Sequence, residues 1–328
     1  MSVRFFLGID VAKKTLSAVL TDQGGKSQWS SKSVPNNESG FNKLMESVKK
    51  TARRKSGGDS YSISAGMEAT GVYGEKLAYY LNDNNDGGRI SVYELNPYAV
   101  KAFRDSIMGQ NKNDGVDAKV IAAYMSVAIA RRQITPWVAP SREARQLKEL
   151  SRRRSELSAF LTEESNRLEK LMNTHEPSAL INESLCGHIS YIKEAIKAIE
   201  QEIECLIDKN DDLRGDIELL RSIPGVGQVS SVTVKGEIGD ITRFSGVKGL
   251  VSFVGVAPRE YTSGTSVHRH PGIGRRGNVR MRAHLYMASL VASQVNPIIR
   301  EFYNRLLKKG KSKKLALIAC VRKLLHII

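Results

Sequence analysis

Apolar and polar positions along the chain fall into two regimes. Up to about residue 140, short apolar runs of strand length alternate with amphipathic stretches of helical period. Residues 3–9 (Val-Arg-Phe-Phe-Leu-Gly-Ile) predict a buried strand ending at Asp10, and further strands are predicted over 16–20, 61–67 and 90–95. The polar segment 21–26 reads as a turn, and Asn96-Pro97 stops the fourth strand. Helical patterns cover about 38–54, 73–84 and 116–131. Strands alternating with helices predict an α/β layer, with helices packed on a sheet, as a domain over 1–140.

From 141 to 220 the period changes. Ile189, Ile192, Ile196, Ile199, Ile203 and Leu206 step by three and four, a heptad seam. Leu147, Leu150, Leu157, Leu161, Leu168 and Leu171 repeat a looser version upstream, and His175-Glu176-Pro177 separates the two. Two long antiparallel helices packed as a coiled coil are expected, within one chain or between chains. Near-balanced charge and few large aromatics favour this over two amphipathic helices lying on a globular core. Residues 221–328 open on the glycine-rich turn Ile223-Pro224-Gly225-Val226-Gly227 and then read as a mostly helical domain. Such a turn can offer backbone N–H groups to a phosphate, or simply join two helices.

Charge sharpens this division. Of 50 Lys+Arg and 34 Asp+Glu, residues 1–140 hold 19 and 13, residues 141–222 hold 13 and 17, and residues 223–328 hold 18 and 4. The last third therefore carries +14 of the total +16. A surface so one-sided repels itself unless a polyanion neutralises it, so double-stranded DNA is the expected partner. Arg259, Arg269, Arg275, Arg276, Arg280 and Arg282 are the candidate contacts, with a lysine run from Lys308 to Lys314 beyond them. No run of 18 apolar residues exists, which argues against a membrane span. The N-terminus lacks the pattern of a signal peptide, and Cys186, Cys205 and Cys320 are too scattered for a disulfide framework. A reducing, cytoplasmic setting near the bacterial nucleoid is expected.

Four carboxylates stand where chemistry gathers in α/β folds. Asp10 and Glu68 end predicted strands, and Asp114 and Asp117 lie three apart at the start of a predicted helix, on one face. Converging in a poorly solvated cleft, such groups repel one another unless a divalent cation joins them, and oxygen-only donors suit Mg²⁺ or Mn²⁺. Taken singly, Asp114 could be a helix N-cap and Asp10 a turn residue. In this order the four resemble the site of a ribonuclease-H-like nuclease.

The sequence resembles the Piv/MooV family of insertion-sequence transposases and site-specific DNA invertases. The matching stretches are 8–13 (Gly-Ile-Asp-Val-Ala-Lys), 68–71, 111–118, 222–227, 253–259, 261–267 and 277–287, in the family's order from one end of the chain to the other. The resemblance implies a RuvC-like N-terminal domain with Asp10, Glu68, Asp114 and Asp117 as the metal-binding DEDD set, and a helical C-terminal transposase domain. It implies that Ser263, in Tyr-Thr-Ser-Gly-Thr-Ser, is the nucleophile that holds the cut strand as a phosphoserine link. It further implies a site built from two chains, hence a homo-oligomer (dimer or tetramer), and a noncoding guide RNA, the bridge RNA, pairing with donor and target DNA.

The residues alone leave alternatives open. Ser263 between Thr and Gly is an ordinary turn serine, and Tyr261 and Ser266 are competing nucleophiles. The pair His268 and His270 around Arg269 reads more simply as phosphate contact than as a metal site. A pilin-type invertase without guide RNA, a metal-only RuvC-like nuclease and a non-catalytic binding protein are the other readings.

Overall fold

The computed structural model describes residues 3–69, 71–107, 114–244, 246–258, 261–263, 267–269, 273 and 277–328. The chain divides into two compact units, residues 1–139 and 140–328.

In the first unit, β1 (Val3–Val11), β2 (Thr15–Thr21) and β3 (Ser27–Pro35) form an antiparallel meander. Helix α1 (Glu38–Ser56) then leads to β4 (Tyr61–Glu68), α2 (Glu75–Asp83) to β5 (Ile90–Leu95), and α3 (Pro97–Ile107) and α4 (Asp114–Ala130) follow. The five strands stand in the order β3-β2-β1-β4-β5, with β4 parallel to both β1 and β5. This mixed sheet with helices is the α/β layer expected. All four predicted strands are present, each within a few residues of its predicted ends. β3 was not anticipated because it is an edge strand of sequence SQWSSKSVP in which Val34 alone is buried. An edge strand needs no apolar face on both sides, so its sequence carries little signal. Helix α3 was also missed; it buries only Val100, too little for an apolar stripe to be read.

The central strands are apolar because both faces are covered. Phe5, Leu7 and Ile9 join Leu44, Val48, Leu77 and Leu81 in the main core, while Phe6 joins Val120, Ile121 and Met125 of α4 on the opposite side. Helix α4 has almost no polar face along its middle, as befits a helix laid against the sheet.

The second unit begins with α5 (Arg142–Met172) and α6 (Ala179–Asp208). Their cross-links run antiparallel: Gln146 to Glu202, Arg154 to Glu200, and Glu164 to His188. Ile189, Ile192, Ile203 and Leu206 of the predicted seam are buried, whereas Met172, Leu180 and Ile181 near the hairpin tip are exposed. The base of the hairpin joins α7 (Asp211–Arg221) and α8 (Gln228–Ile238) through Leu147, Ile207, Leu213, Ile217 and Val232. Helices α9 (Val247–Val254), α10 (Val279–Val295), α11 (Pro297–Lys308) and α12 (Lys313–Leu324) complete the unit, with a short antiparallel pair, β6 (Tyr261–Ser263) and β7 (Val267–Arg269), between α9 and α10. A core from α8, α9, α10 and α12 ties these helices together. The turn at Gly225 is a packing device: its φ is 100°, and a Cβ there would lie 2.6 Å from Ala292.

Contact between α4 and β1 is closest at Gly8, where a Cβ would sit 2.0 Å from the Ala118 carbonyl oxygen and 2.6 Å from the Ala122 nitrogen. Gly8→Ala must push backbone from backbone and should cost about 3 kcal/mol. Chemical denaturation followed by circular dichroism checks this; an unchanged midpoint would mean that the helix does not rest on the strand.

Candidate functional site

The first unit gathers carboxylates at one end of its sheet. β1 and β4 are parallel with Ile9 opposite Met67, so Asp10 and Glu68, one residue further, stand side by side at that end of the sheet. Helix α4 crosses β1 and brings Asp117 to them from its first turns. Burial raises the Glu68 pKa; the Arg104 guanidinium works against this, while Asp10 and Asp117 raise it further. Two of the other three predicted carboxylates, Asp10 and Asp117, are thus close enough for Glu68 to feel their charge. Asp114 is the first residue of α4, one turn before Asp117. Its side chain, with residues 108–113, lies outside what is described.

Arg104, on α3, was not singled out from the sequence. Its Nη2 lies 2.9 Å from Asp117 Oδ1, and both side chains are largely buried. No pattern announced it: one arginine, 13 positions before its partner and on a different helix, looks like any surface cation. As they stand, no three Asp, Glu, His or Cys side chains among the described residues are disposed to hold a metal ion. The donor chemistry nonetheless fits a hard divalent cation, being all oxygen, partly desolvated and mutually repulsive.

In the second unit the segment carrying Ser263 is closed at its root. Asn278 N donates to Phe253 O at 2.8 Å, Pro258 bridges to Ile273, and Arg282 Nη1 donates to Val254 O at 3.0 Å. Gly277, at φ 134°, brings its backbone against Gly255, where a Cβ would meet N at 2.6 Å. From this root rises the pair β6–β7, with Ser263 opposite Val267 and Tyr261 opposite Arg269. The side chains of these strand residues, and Arg259, Ser266, His270, Arg275 and Arg276, lie outside the described residues. Of the remaining predicted contacts, Arg282 is spent on Val254, and Arg280 forms a half-exposed ion pair with Glu156 at 3.2 Å.

A buried carboxylate anchors that root. Glu237 on α8 accepts two hydrogen bonds from Arg152 of α5, at 2.6 and 2.8 Å, and one from Asn278 Nδ2 at 2.7 Å. Asn278 in turn caps α10 by accepting from Met281 N. Burial pushes the Glu237 pKa up, but the hydrogen bonds from Arg152 and Asn278 and the charges of Arg152 and Lys148 outweigh it and hold it below the ordinary value.

Comparison with known proteins fits this geometry. A family model described as a transposase of the DEDD, IS110 type matches residues 7–177, and one described as "Transposase IS116/IS110/IS902 family" matches residues 217–304. The pilin gene-inverting protein of Moraxella bovis is 29% identical over 98% of this chain and 94% of its own. The transposase of insertion element IS1111A from Coxiella burnetii is 32% identical over 36% of this chain and 29% of its own. Among solved structures, T. thermophilus RuvC in complex with a Holliday junction substrate aligns with 41% of this chain and 99% of its own, at 15% identity and a TM-score of 0.30. The protein is an enzyme of the DNA-recombinase class, one that cuts and rejoins DNA. More narrowly, the chain belongs to the IS110 family of DEDD transposases and invertases.

Because the Glu237 pKa is depressed, its ionised form stabilises the fold fully above the ordinary carboxylate value of 4.5, and this contribution is lost as pH falls through the lower folded value. Glu237→Gln should therefore lose about 1–3 kcal/mol at neutral pH and show a shallower loss of stability below pH 4.5. Urea unfolding across pH tests it; parallel profiles for the two proteins would refute it.

Proposed function

We propose that this chain cuts DNA at specific sites and rejoins it through a phosphoserine intermediate on Ser263, with Asp10, Glu68, Asp114 and Asp117 holding Mg²⁺ or Mn²⁺. The observation that carries the reading is the meeting of Asp10, Glu68 and Asp117 where β1, β4 and α4 converge. In the cleavage step, Ser263 Oγ bonds to phosphorus and the P–O bond to the departing deoxyribose oxygen breaks. The proton lost by Oγ is balanced by the one the leaving oxygen gains, and the phosphodiester's bond energy is kept for rejoining. A bound divalent ion would polarise the phosphodiester oxygens and ease ionisation of the attacking hydroxyl. The four carboxylates orient that ion, and the rigid root of the β6–β7 pair fixes where Ser263 is offered.

The basic last third supplies the DNA grip, with Arg259, Arg269, Arg275 and Arg276 as the principal contacts and Arg280 and Arg282 beside them. The N-terminal unit is read as RuvC-like, the α5–α6 hairpin as a coiled coil through which chains pair, and the working form as a dimer or tetramer in the bacterial cytoplasm. A noncoding RNA that pairs with donor and target DNA would supply site choice. A second reading, an invertase without guide RNA, is favoured by the near full-length similarity to a pilin gene-inverting protein, whereas the insertion-element transposase matches a shorter stretch.

Expression together with flanking noncoding DNA, sequencing of any copurified RNA, and addition of labelled substrate with Mg²⁺ before denaturation test these points together. The expected result is label retained on the wild-type protein and lost in both Ser263→Ala and Asp117→Ala. Cleavage without an adduct, persisting in Ser263→Ala, would replace the serine mechanism with metal-only hydrolysis. Label transfer with no RNA recovered would favour the invertase.

A further inference from the structure

Two arginine–carboxylate pairs among the described residues, Arg152–Glu237 and Arg104–Asp117, are built differently. Arg152 and Glu237 meet through two hydrogen bonds, and Asn278 satisfies the carboxylate further. That is the fork geometry of a permanent bridge. Arg104 reaches Asp117 through one close approach of 2.9 Å, with side chains only 18% and 12% exposed. Around it, Arg104 Nε and Asp117 Oδ1 are buried atoms that complete no hydrogen bond among the described residues. A buried guanidinium left partly unsatisfied is costly, and burial alone does not explain its retention. Its charge bears on the site: it pairs with Asp117 and lowers the Glu68 pKa, which Asp10 and Asp117 raise.

We propose that Arg104 is the internal counter-ion of the carboxylate site, occupying Asp117 while no divalent ion is bound and yielding it when one enters. The proposal rests on the metal-binding reading above and adds a competitor to it. A divalent ion must take Asp117 away from the guanidinium, so the resident charge lowers affinity for metal and keeps the apo site from collapsing or springing apart. Arg104 is accordingly a positioning residue, acting on the reaction through Asp117.

Mn²⁺ titration of the full-length protein without nucleic acid, with free ion read by electron paramagnetic resonance, tests this directly. Arg104→Gln should bind Mn²⁺ more tightly than wild type by about tenfold or more, the scale of one unit charge at close range. Arg104→Lys, which keeps the charge, should stay near wild type. Metal-free Arg104→Gln should also melt at lower temperature and gain more from Mn²⁺ than wild type does, which separates lost charge compensation from failure to fold. Equal or weaker Mn²⁺ binding by Arg104→Gln, with binding still abolished in Asp117→Asn, would overturn the counter-ion role and leave the metal site standing. Mn²⁺ binding that is absent from wild type, or indifferent to Asp117→Asn, would overturn both.

Discussion

The first unit depends on a missing atom. Gly8 has no Cβ, and the backbone of α4 occupies the space one would fill. This lets a helix lie directly on the central strand at Ala118 and Ala122, closer than any side chain would permit. The consequence is positional. Asp10 lies two residues beyond Gly8 on β1, and Asp117 immediately precedes Ala118 on α4, so the contact that brings the two backbones together also brings the two carboxylates together. The parallel register of β1 and β4 adds Glu68. Burial first, and the nearby Asp10 and Asp117 after it, raise the Glu68 pKa, and the Arg104 charge works against them.

In the second unit the comparable constraint is polar. Glu237 is buried with its charge kept, which is tolerable only because Arg152 and Asn278 satisfy it. Those partners come from α5 and from the start of α10, so one carboxylate joins three parts of the chain far apart in sequence. The root of the serine-bearing segment is held by this joint together with the backbone bond from Asn278 to Phe253 and the side-chain bond from Arg282 to Val254. A glycine contact in one unit and a satisfied buried carboxylate in the other thus separately fix where the candidate side chains emerge.

Much of this was legible in the sequence. β1, β2, β4 and β5 are largely buried, and their short, mostly apolar segments bounded by polar turns identify them. Asp10 and Glu68 could be named because strand ends are marked by where those runs stop, and the three-residue spacing of Asp114 and Asp117 places them on one helical face. The heptad seam of α6 forecast its pairing with α5 for the same reason of period. What escaped is what has no period. β3 is polar because it is an edge, and α3 because it buries little. Arg104 and Glu237 take their meaning from partners 13 and 85 residues away, Asp117 and Arg152, and linear spacing carries no trace of either pairing. Some of the six arginines grouped by charge alone prove to be distinct: Arg282 is tied to a main-chain carbonyl and Arg280 to Glu156. Composition counts cations without distinguishing those that face a ligand from those that hold the fold.

The closed root at Phe253 and Asn278 has a consequence for how such a protein can change. Its two ends are one hydrogen bond apart, so the chain leaves and re-enters the helical core at nearly the same point. Lengthening or rewriting a loop whose ends are already pinned costs little, since closure entropy grows only with the logarithm of loop length. The closing bond is therefore compatible with segments of different length between those two points.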